Sequence, residues 1–205
     1  MPFDAAAAQD WVRAFAGRVT AAKGELTALD AAIGDADHGT NLDRGMTAAV
    51  AKLAGDTPGD VLKGVGRTLI STVGGASGPL YGTAFREAAK ALGDAAEVSD
   101  ADFAAALRAG YDGVRRLGGA AEGDKTMLDA WAPALTALDD ALDAGLAEAA
   151  AKAAEAAGAG AEATIGMQAR KGRASYLGPR SVGHQDPGAT SSALLFAALA
   201  ETLRT

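Results

Sequence analysis

The sequence predicts an all-α antiparallel up-and-down bundle of about eight to ten helices, and three observations carry that expectation. Alanine and leucine dominate the apolar content, while aromatic residues make up only 5% and runs of valine and isoleucine are scarce. Ala and Leu lose least on entering a helix, whereas strands favour β-branched and aromatic side chains. Apolar residues also recur at spacings of three and four through most of the chain, the period of an amphipathic helix. Between these periodic stretches lie glycine-rich polar segments. In an up-and-down bundle alternate connections share an end, so several of these segments can converge there.

The first helix is predicted over Phe3 to Lys23, where Trp11, Val12, Phe15 and Val19 fall on one face. A shorter helical piece follows over Glu25 to Ile33, with Gly34 as its stop. A third runs from Thr40 to Leu53. Thr57-Pro58 has the form of an N-cap with proline at the first helical position, opening a helix that reaches Thr72. A glycine-rich loop, Gly74 to Gly82, precedes a helix to Leu92. Ser99 with Asp102 resembles a capping box for the helix carrying Phe103, Leu107, Tyr111 and Val114, which Gly118-Gly119 ends. Gly123 to Met127 opens a helix through Trp131 and Leu138. Helical propensity continues over Asp140 to Ala157 and again over Ala161 to Gln168, where leucine and charged residues punctuate the alanine. After the polar stretch Arg170 to Asp186, a last helix runs from Gly188 to Leu203. No strand is predicted.

At 205 residues, with no Pro-rich or Ser-rich linker, the chain reads as one domain spanning 1–205. A formal net charge of −7 argues against a general nucleic-acid binder, which needs a basic face to neutralise phosphates. With no cysteines, neither a disulfide framework nor thiolate chemistry is available. The N-terminus lacks the basic segment and apolar core of a secretory signal, and the apolar run near Ala193 to Ala200 is too short to span a bilayer. A cytoplasmic, soluble protein is expected.

The densest chemistry lies in Asp30 to Asn41, where Asp30, Asp35 and Asp37 crowd beside His38, Gly34 and Gly39. Ionised carboxylates only accept hydrogen bonds, and three together repel one another unless a cation sits between them. Hard oxygen ligands suit Mg²⁺ or Ca²⁺. An EF-hand loop fails because its twelfth position, counted from Asp35, is Met46. A single Asp here would read as a helix cap; three at this spacing favour a metal site.

Gly74 to Gly82 suits a phosphate cradle of backbone N–H groups, although the P-loop and dinucleotide fingerprints are both absent. Beside a Mg²⁺ site, such a cradle suggests a polyphosphate whose oxygens complete the metal's coordination. Met127 and Leu128 could contact a nucleobase, though their spacing alone reads as core. Arg170-Lys171-Gly172-Arg173 could clamp phosphate or be a solvated helix end. His38 and His184 both lie in polar glycine-rich motifs, which favours hydrogen bonding to phosphate over a core role; phosphohistidine chemistry stays open. The nucleophile elbow of a serine hydrolase is missing.

Ala31 to Gly39, Gly74 to Gly78, Gly123 to Met127, and Gly172 to Gly178 through Asp186 to Ser191 together resemble the L (nucleotide-binding) subunit of bacterial dihydroxyacetone kinase. The likeness runs through nearly the whole chain. One departure is Ala36, where the family more often has glycine. The resemblance implies an eight-helix antiparallel barrel holding ADP or ATP and two Mg²⁺ ions at one end. It implies Asp30, Asp35 and Asp37 as ligands to both ions. It places His38, Gly39, Thr40 and Asn41, with Ala76 and Ser77, at phosphate and ribose, and Gly118 and Met127 at adenine. Arg173, with Asp186, Pro187 and Gly188, would close the site, and the three aspartates with Arg173 form the implied catalytic set. In the phosphotransferase-system form of the family, bound ADP is rephosphorylated in place by a phosphocarrier (M) subunit. The γ-phosphoryl group then passes to dihydroxyacetone held on a histidine of a separate K subunit. Two alternatives remain: an ATP-dependent kinase of a short ketose with exchanging nucleotide, and a nucleotide-state-dependent partner of a transcription regulator. A purely structural bundle would require that Asp35→Ala and Asp37→Ala leave nucleotide and Mg²⁺ binding unchanged.

Overall fold

The computed structural model describes residues 3–204. Among them, eight α-helices follow one another: α1 (Ala5–Ile33), α2 (His38–Ala51), α3 (Pro58–Thr72), α4 (Ser77–Leu92), α5 (Asp100–Gly118), α6 (Leu128–Ala141), α7 (Leu146–Ala163) and α8 (Pro187–Thr202). Each packs on the next in sequence, and α8 returns to α1. The ring is therefore closed, an antiparallel up-and-down barrel in which no helix is left at an edge. None of these helices is long and apolar enough to cross a membrane.

Local chemistry sets most boundaries. Thr57 Oγ1 accepts the N–H of Asp60, Ser99 Oγ that of Asp102, and Asp186 Oδ2 that of Ala189, so α3, α5 and α8 each begin on a side-chain cap. Gly119, in the left-handed region at φ 57°, ends α5 as a C-cap whose N–H reaches Arg115 O.

The structure departs from the sequence-based expectation in four places. The first two predicted helices are one 29-residue helix, α1, because Gly24 faces open space and is carried by the flanking turns. The third predicted helix starts at His38 rather than Thr40 and ends at Ala51. Gly145, at φ 95°, breaks the alanine-rich region, and α7 then runs unbroken through Gly158 and Gly160. A short antiparallel ladder, β1 (Phe3–Asp4) with β2 (Glu97–Val98), ties the N-terminus to the α4–α5 connection. Two-residue strands leave no periodic signature in sequence.

The two ends of the barrel are filled differently. At the end where α1 and α5 begin, Phe3, Trp11 and Phe103 pack with ring centroids 4.0 to 6.3 Å apart. Large rings fill this end, and the core there is closed. At the other end meet the C-termini of α1, α3, α5 and α7 and the N-termini of α2, α4, α6 and α8. The buried side chains there include His38, Asn41, Ser191 and Ser192. All the glycine-rich motifs lie in the connections of this polar end.

Candidate functional site

Asp30 sits on the last turn of α1, and its carbonyl accepts the Gly34 N–H that stops the helix. The chain then turns through Asp35 and Ala36 to Asp37. Ala36 takes φ 61°, a left-handed conformation uncommon for a residue that carries a Cβ. Asp30 is buried, and its Oδ2 accepts the N–H groups of Asp37 (2.8 Å) and His38 (3.1 Å). This carboxylate thus fixes the start of α2. Carboxylate oxygens of Asp30, Asp35 and Asp37 lie within 4.8 Å of one another. Such a set of hard, acceptor-only oxygens at close range fits a divalent cation of the Mg²⁺ type.

Facing this acidic corner is the α3–α4 connection. Gly75, at φ 67°, passes so close that a Cβ there would lie 3.8 Å from both Asp37 carboxylate oxygens. Ser77 begins α4, and its Oγ lies 2.9 Å from His38 Nδ1. Burial pushes the His38 imidazole below its ordinary value, against the opposing pull of Asp30 and Asp37. Its Nε2 lies 2.9 Å from Ser191 Oγ on α8.

The third wall is the α5–α6 loop, and it is clasped on both sides. Asp129, buried on α6, accepts the N–H groups of Gly123 (2.5 Å) and Thr126 (2.7 Å). Lys125 takes φ 62° and buries its ammonium among the carbonyls of Thr164 (2.7 Å), Met167 (3.1 Å) and His184. The loop is thereby pinned to the segment between α7 and α8, with Met127 facing the site. Asp186 caps α8 with its carboxyl buried, and burial pushes that group up to about 7 despite the N–H of Ala189 and the nearby Lys125. Arg173, in the 3-10 segment Arg173–Ser181, reaches Asp35 Oδ2 at 2.9 Å.

Together these walls enclose a cavity of about 460 Å³. Asp30, Asp35, Asp37, His38, Ala76, Ser77, Gly118, Met127, Arg173, Asp186, Pro187 and Gly188 all line it. Gly39, Thr40 and Asn41 do not. Gly39 is packed against α1, where a Cβ would meet Lys23 O at 2.3 Å; Thr40 is exposed; Asn41 Oδ1 accepts from Arg44, which also donates to Thr72 O. His184 holds Lys125 through its carbonyl, and its exposed side chain lies outside the lining.

Residues that the sequence reading did not single out form the opposite, apolar wall: Pro79, Leu80, Val114 and Leu117, beside Met127 and Leu128. Leu117 is 55% exposed despite its apolar side chain. The available signal was an apolar helical face continuing to the last residue before Gly118. The cavity is thus acidic and polar at one wall and greasy at the other, a shape for a flat apolar group joined to an anion.

The protein-family model described as the DAK2 domain matches residues 32–201. The chain is 49% identical over 85% of its length to the PEP-dependent dihydroxyacetone kinase, ADP-binding subunit DhaL, of Escherichia coli, covering 86% of that protein. It is 42% identical to PEP-dependent dihydroxyacetone kinase 1, ADP-binding subunit DhaL, of Listeria innocua, over 98% of both chains. It is also similar to the crystal structure of the dihydroxyacetone kinase from C. freundii in complex with AMP-PNP and Mg²⁺, with a TM-score of 0.72 and 29% identity. That match covers 98% of this chain and spans about a third (34%) of the C. freundii protein. On this agreement of sequence and fold, the chain belongs to the DAK2 domain family.

Proposed function

We propose that this chain is the nucleotide-holding subunit of a dihydroxyacetone kinase of the phosphotransferase-dependent type, working as a cytoplasmic protein. The observation that carries the reading is the pairing, in one cavity, of the Asp30–Asp35–Asp37 cluster with the apolar wall of Leu80, Leu117 and Met127. An Mg·ADP or Mg·ATP complex has matching halves. The names of the two most similar relatives described above, both ADP-binding subunits, support the same assignment.

Asp30, Asp35 and Asp37 would hold two Mg²⁺ ions, which when bound neutralise phosphate charge and orient the transferred group. The backbone at the start of α2 supports the phosphate role assigned to His38, Gly39, Thr40 and Asn41. The His38 N–H is taken by Asp30 and the Asn41 N–H by Asp37 O, so the N–H groups of Gly39 and Thr40 are the ones this helix start would offer an anion, even though the side chains of Gly39, Thr40 and Asn41 lie outside the lining. Ala76 and Ser77 present the start of α4 in the same way, while Gly118 and Met127 would flank adenine. Arg173 stabilises negative charge as the phosphoryl group moves, and Asp186, Pro187 and Gly188 close the rear of the site. Dihydroxyacetone would be held on a separate K subunit and the phosphoryl group supplied by an M phosphocarrier subunit. Binding of a transcription regulator according to nucleotide state is a further role the same module could serve.

A second reading is favoured by one specific finding. The chain is 41% identical to the L-erythrulose 1-kinase of Mycolicibacterium smegmatis over 87% of its own length, though it spans only 32% of that protein. The same domain would then serve an ATP-consuming kinase of a short ketose. Denaturing extensively exchanged protein and identifying released nucleotide by mass spectrometry separates the two. Near-stoichiometric ADP supports the carrier-fed subunit, whereas empty protein that exchanges ATP and ADP supports the second reading. Absence of any nucleotide binding refutes both.

A further inference from the structure

Beneath the cavity floor runs a chain of hydrogen bonds linking α6, α8, α4 and α2. Trp131 Nε1 donates to Ser192 Oγ at 3.1 Å, and Ser192 Oγ lies 3.2 Å from Tyr81 Oη. Tyr81 Oη lies 2.7 Å from Ser191 Oγ, Ser191 Oγ 2.9 Å from His38 Nε2, and His38 Nδ1 2.9 Å from Ser77 Oγ. Trp131, Ser192, Tyr81 and Ser191 are each at most 3% exposed, so water does not enter this path. Ser77, at the end of the chain, lines the cavity together with His38 and Tyr81, whereas Trp131, Ser191 and Ser192 stand behind them.

We propose that Trp131, Ser192, Tyr81 and Ser191 form a hydrogen-bond chain of fixed polarity, which holds His38 as its Nδ1–H tautomer and leaves the Ser77 hydroxyl proton directed at an anion in the cavity. The polarity starts at Trp131, because an indole N–H can only donate. Ser192 Oγ accepts it and passes its own proton to Tyr81 Oη, the remaining partner in its contacts. Tyr81 Oη therefore donates onward to Ser191 Oγ. Burial pushes the Tyr81 hydroxyl up to about 12, so it stays a donor at any working pH.

The chain forks at Ser191. Its proton can go to Gly188 O at 3.1 Å or to His38 Nε2 at 2.9 Å. The imidazole nitrogen is the nearer and more basic acceptor. With Nε2 accepting, Nδ1 carries the proton and donates to Ser77 Oγ. The Ser77 hydroxyl then has no acceptor within this chain, and its proton faces the cavity. In the opposite polarity Ser77 would donate to His38 and turn lone pairs towards the site, repelling a phosphate oxygen. Trp131 and Tyr81 are thus positioning residues, acting on the anion through Ser77. The chain itself stands on geometry alone; naming the anion as a nucleotide phosphate rests on the function proposed above.

Long-range ¹H–¹⁵N correlation spectra of the full chain read the tautomer directly, and His184→Gln identifies the two imidazoles. Wild-type protein is expected to show His38 as Nδ1–H. In Tyr81→Phe the Ser191 proton falls back to Gly188 O, His38 switches to Nε2–H, and affinity for Mg·ADP, measured by calorimetry, drops about tenfold, the effect of one hydrogen bond to a charged oxygen. An Nε2–H tautomer in wild type overturns the proposal whether or not nucleotide binds. So does an unchanged tautomer in Tyr81→Phe; should that variant fail to fold, the wild-type tautomer alone decides. A switched tautomer with unchanged Mg·ADP affinity overturns the role given to Ser77. A wild-type Nδ1–H tautomer in protein that binds no Mg·ADP upholds the chain and refutes the nucleotide reading.

Discussion

Arg173 Nε lies 2.9 Å from Asp35 Oδ2, so the segment between α7 and α8 is tied to the α1–α2 turn by a charge pair on the cavity rim. Both partners are well exposed, at 66% and 37% of their side-chain surface. Exposed pairs contribute only ~0–1 kcal/mol to stability because water and salt screen them. Arg173→Ala is therefore expected to leave the unfolding midpoint nearly unchanged. If Arg173 stabilises the moving phosphoryl group, the same variant loses transfer activity by about a hundredfold or more. Arg173→Lys should recover only part, since a point charge lacks the planar fork. Thermal melts beside steady-state rates separate the two roles. A fall in stability as large as the fall in rate would assign Arg173 to the fold instead.

The three aspartates are expected to behave differently from one another. Asp30 accepts two backbone N–H groups, and Asp30→Ala strands both, which destabilises the protein by about 2 kcal/mol with or without metal. Neither Asp35 nor Asp37 has an equivalent structural duty in its side-chain contacts, apart from the exposed Arg173 pair. Without Mg²⁺, Asp35→Ala and Asp37→Ala relieve like-charge repulsion and are neutral or slightly stabilising. With Mg²⁺, only the wild type gains stability. Urea unfolding in chelator and in MgCl₂ tests this directly. Equal protease resistance of the α1–α2 turn in both conditions would also count against a bound cation.

Asp186 predicts an unusual pH profile. Burial pushes its carboxyl up to about 7, well above the usual carboxylate range. The folded state therefore holds a proton that the unfolded chain releases. Stability from this group is fully present below the unfolded value and is lost as pH rises through the folded value. The loss accumulates as pH rises towards about 7 and levels off above. Asp186→Asn keeps an oxygen for the Ala189 N–H and carries no charge. Its denaturation midpoint should vary less with pH over this window, and it should be more stable than wild type at pH 8. Parallel profiles for the two proteins would show that Asp186 does not titrate there.

Much of this was legible in the sequence, and what was not has physical causes. The caps at Thr57 and Ser99 could be read because each satisfies a first-turn N–H group with its own side chain, a purely local act, whereas those at Asp4 and Asp186 were not read. The acidic cluster could be read because three carboxylates fall within eight residues. The apolar wall could not, since Leu80 near the start of α4 and Leu117 at the end of α5 are far apart in sequence and come together only when the two helices pack antiparallel, and each fits its own helix's apolar face. The chain from Trp131 to Ser77 was equally hidden. Its members are spread from α2 to α8, and buried serines within an otherwise apolar helix give no periodic signal.

Gly24 and Gly39 make the last prediction, because one sequence symbol covers two opposite situations. Gly24 sits within α1 with nothing inside 4 Å of where a Cβ would go. Gly24→Ala therefore adds a methyl group without a clash and removes backbone freedom from the unfolded chain. A stabilisation of about 0.5–1 kcal/mol is expected. Gly39 lies in the first turn of α2, where a Cβ would meet Lys23 O at 2.3 Å and Thr27 Oγ1 at 2.6 Å. Backbone cannot yield as a flexible side chain can, so Gly39→Ala must push α2 away from α1. That displacement is expected to destabilise the protein by about 2 kcal/mol or more. It also moves His38 and Asp37, one and two residues away, so Mg·ADP affinity should fall in Gly39→Ala and hold in Gly24→Ala. Paired denaturation and binding measurements on the two variants check both halves. Equal tolerance at the two positions would mean that α1 and α2 do not approach as closely as this packing requires.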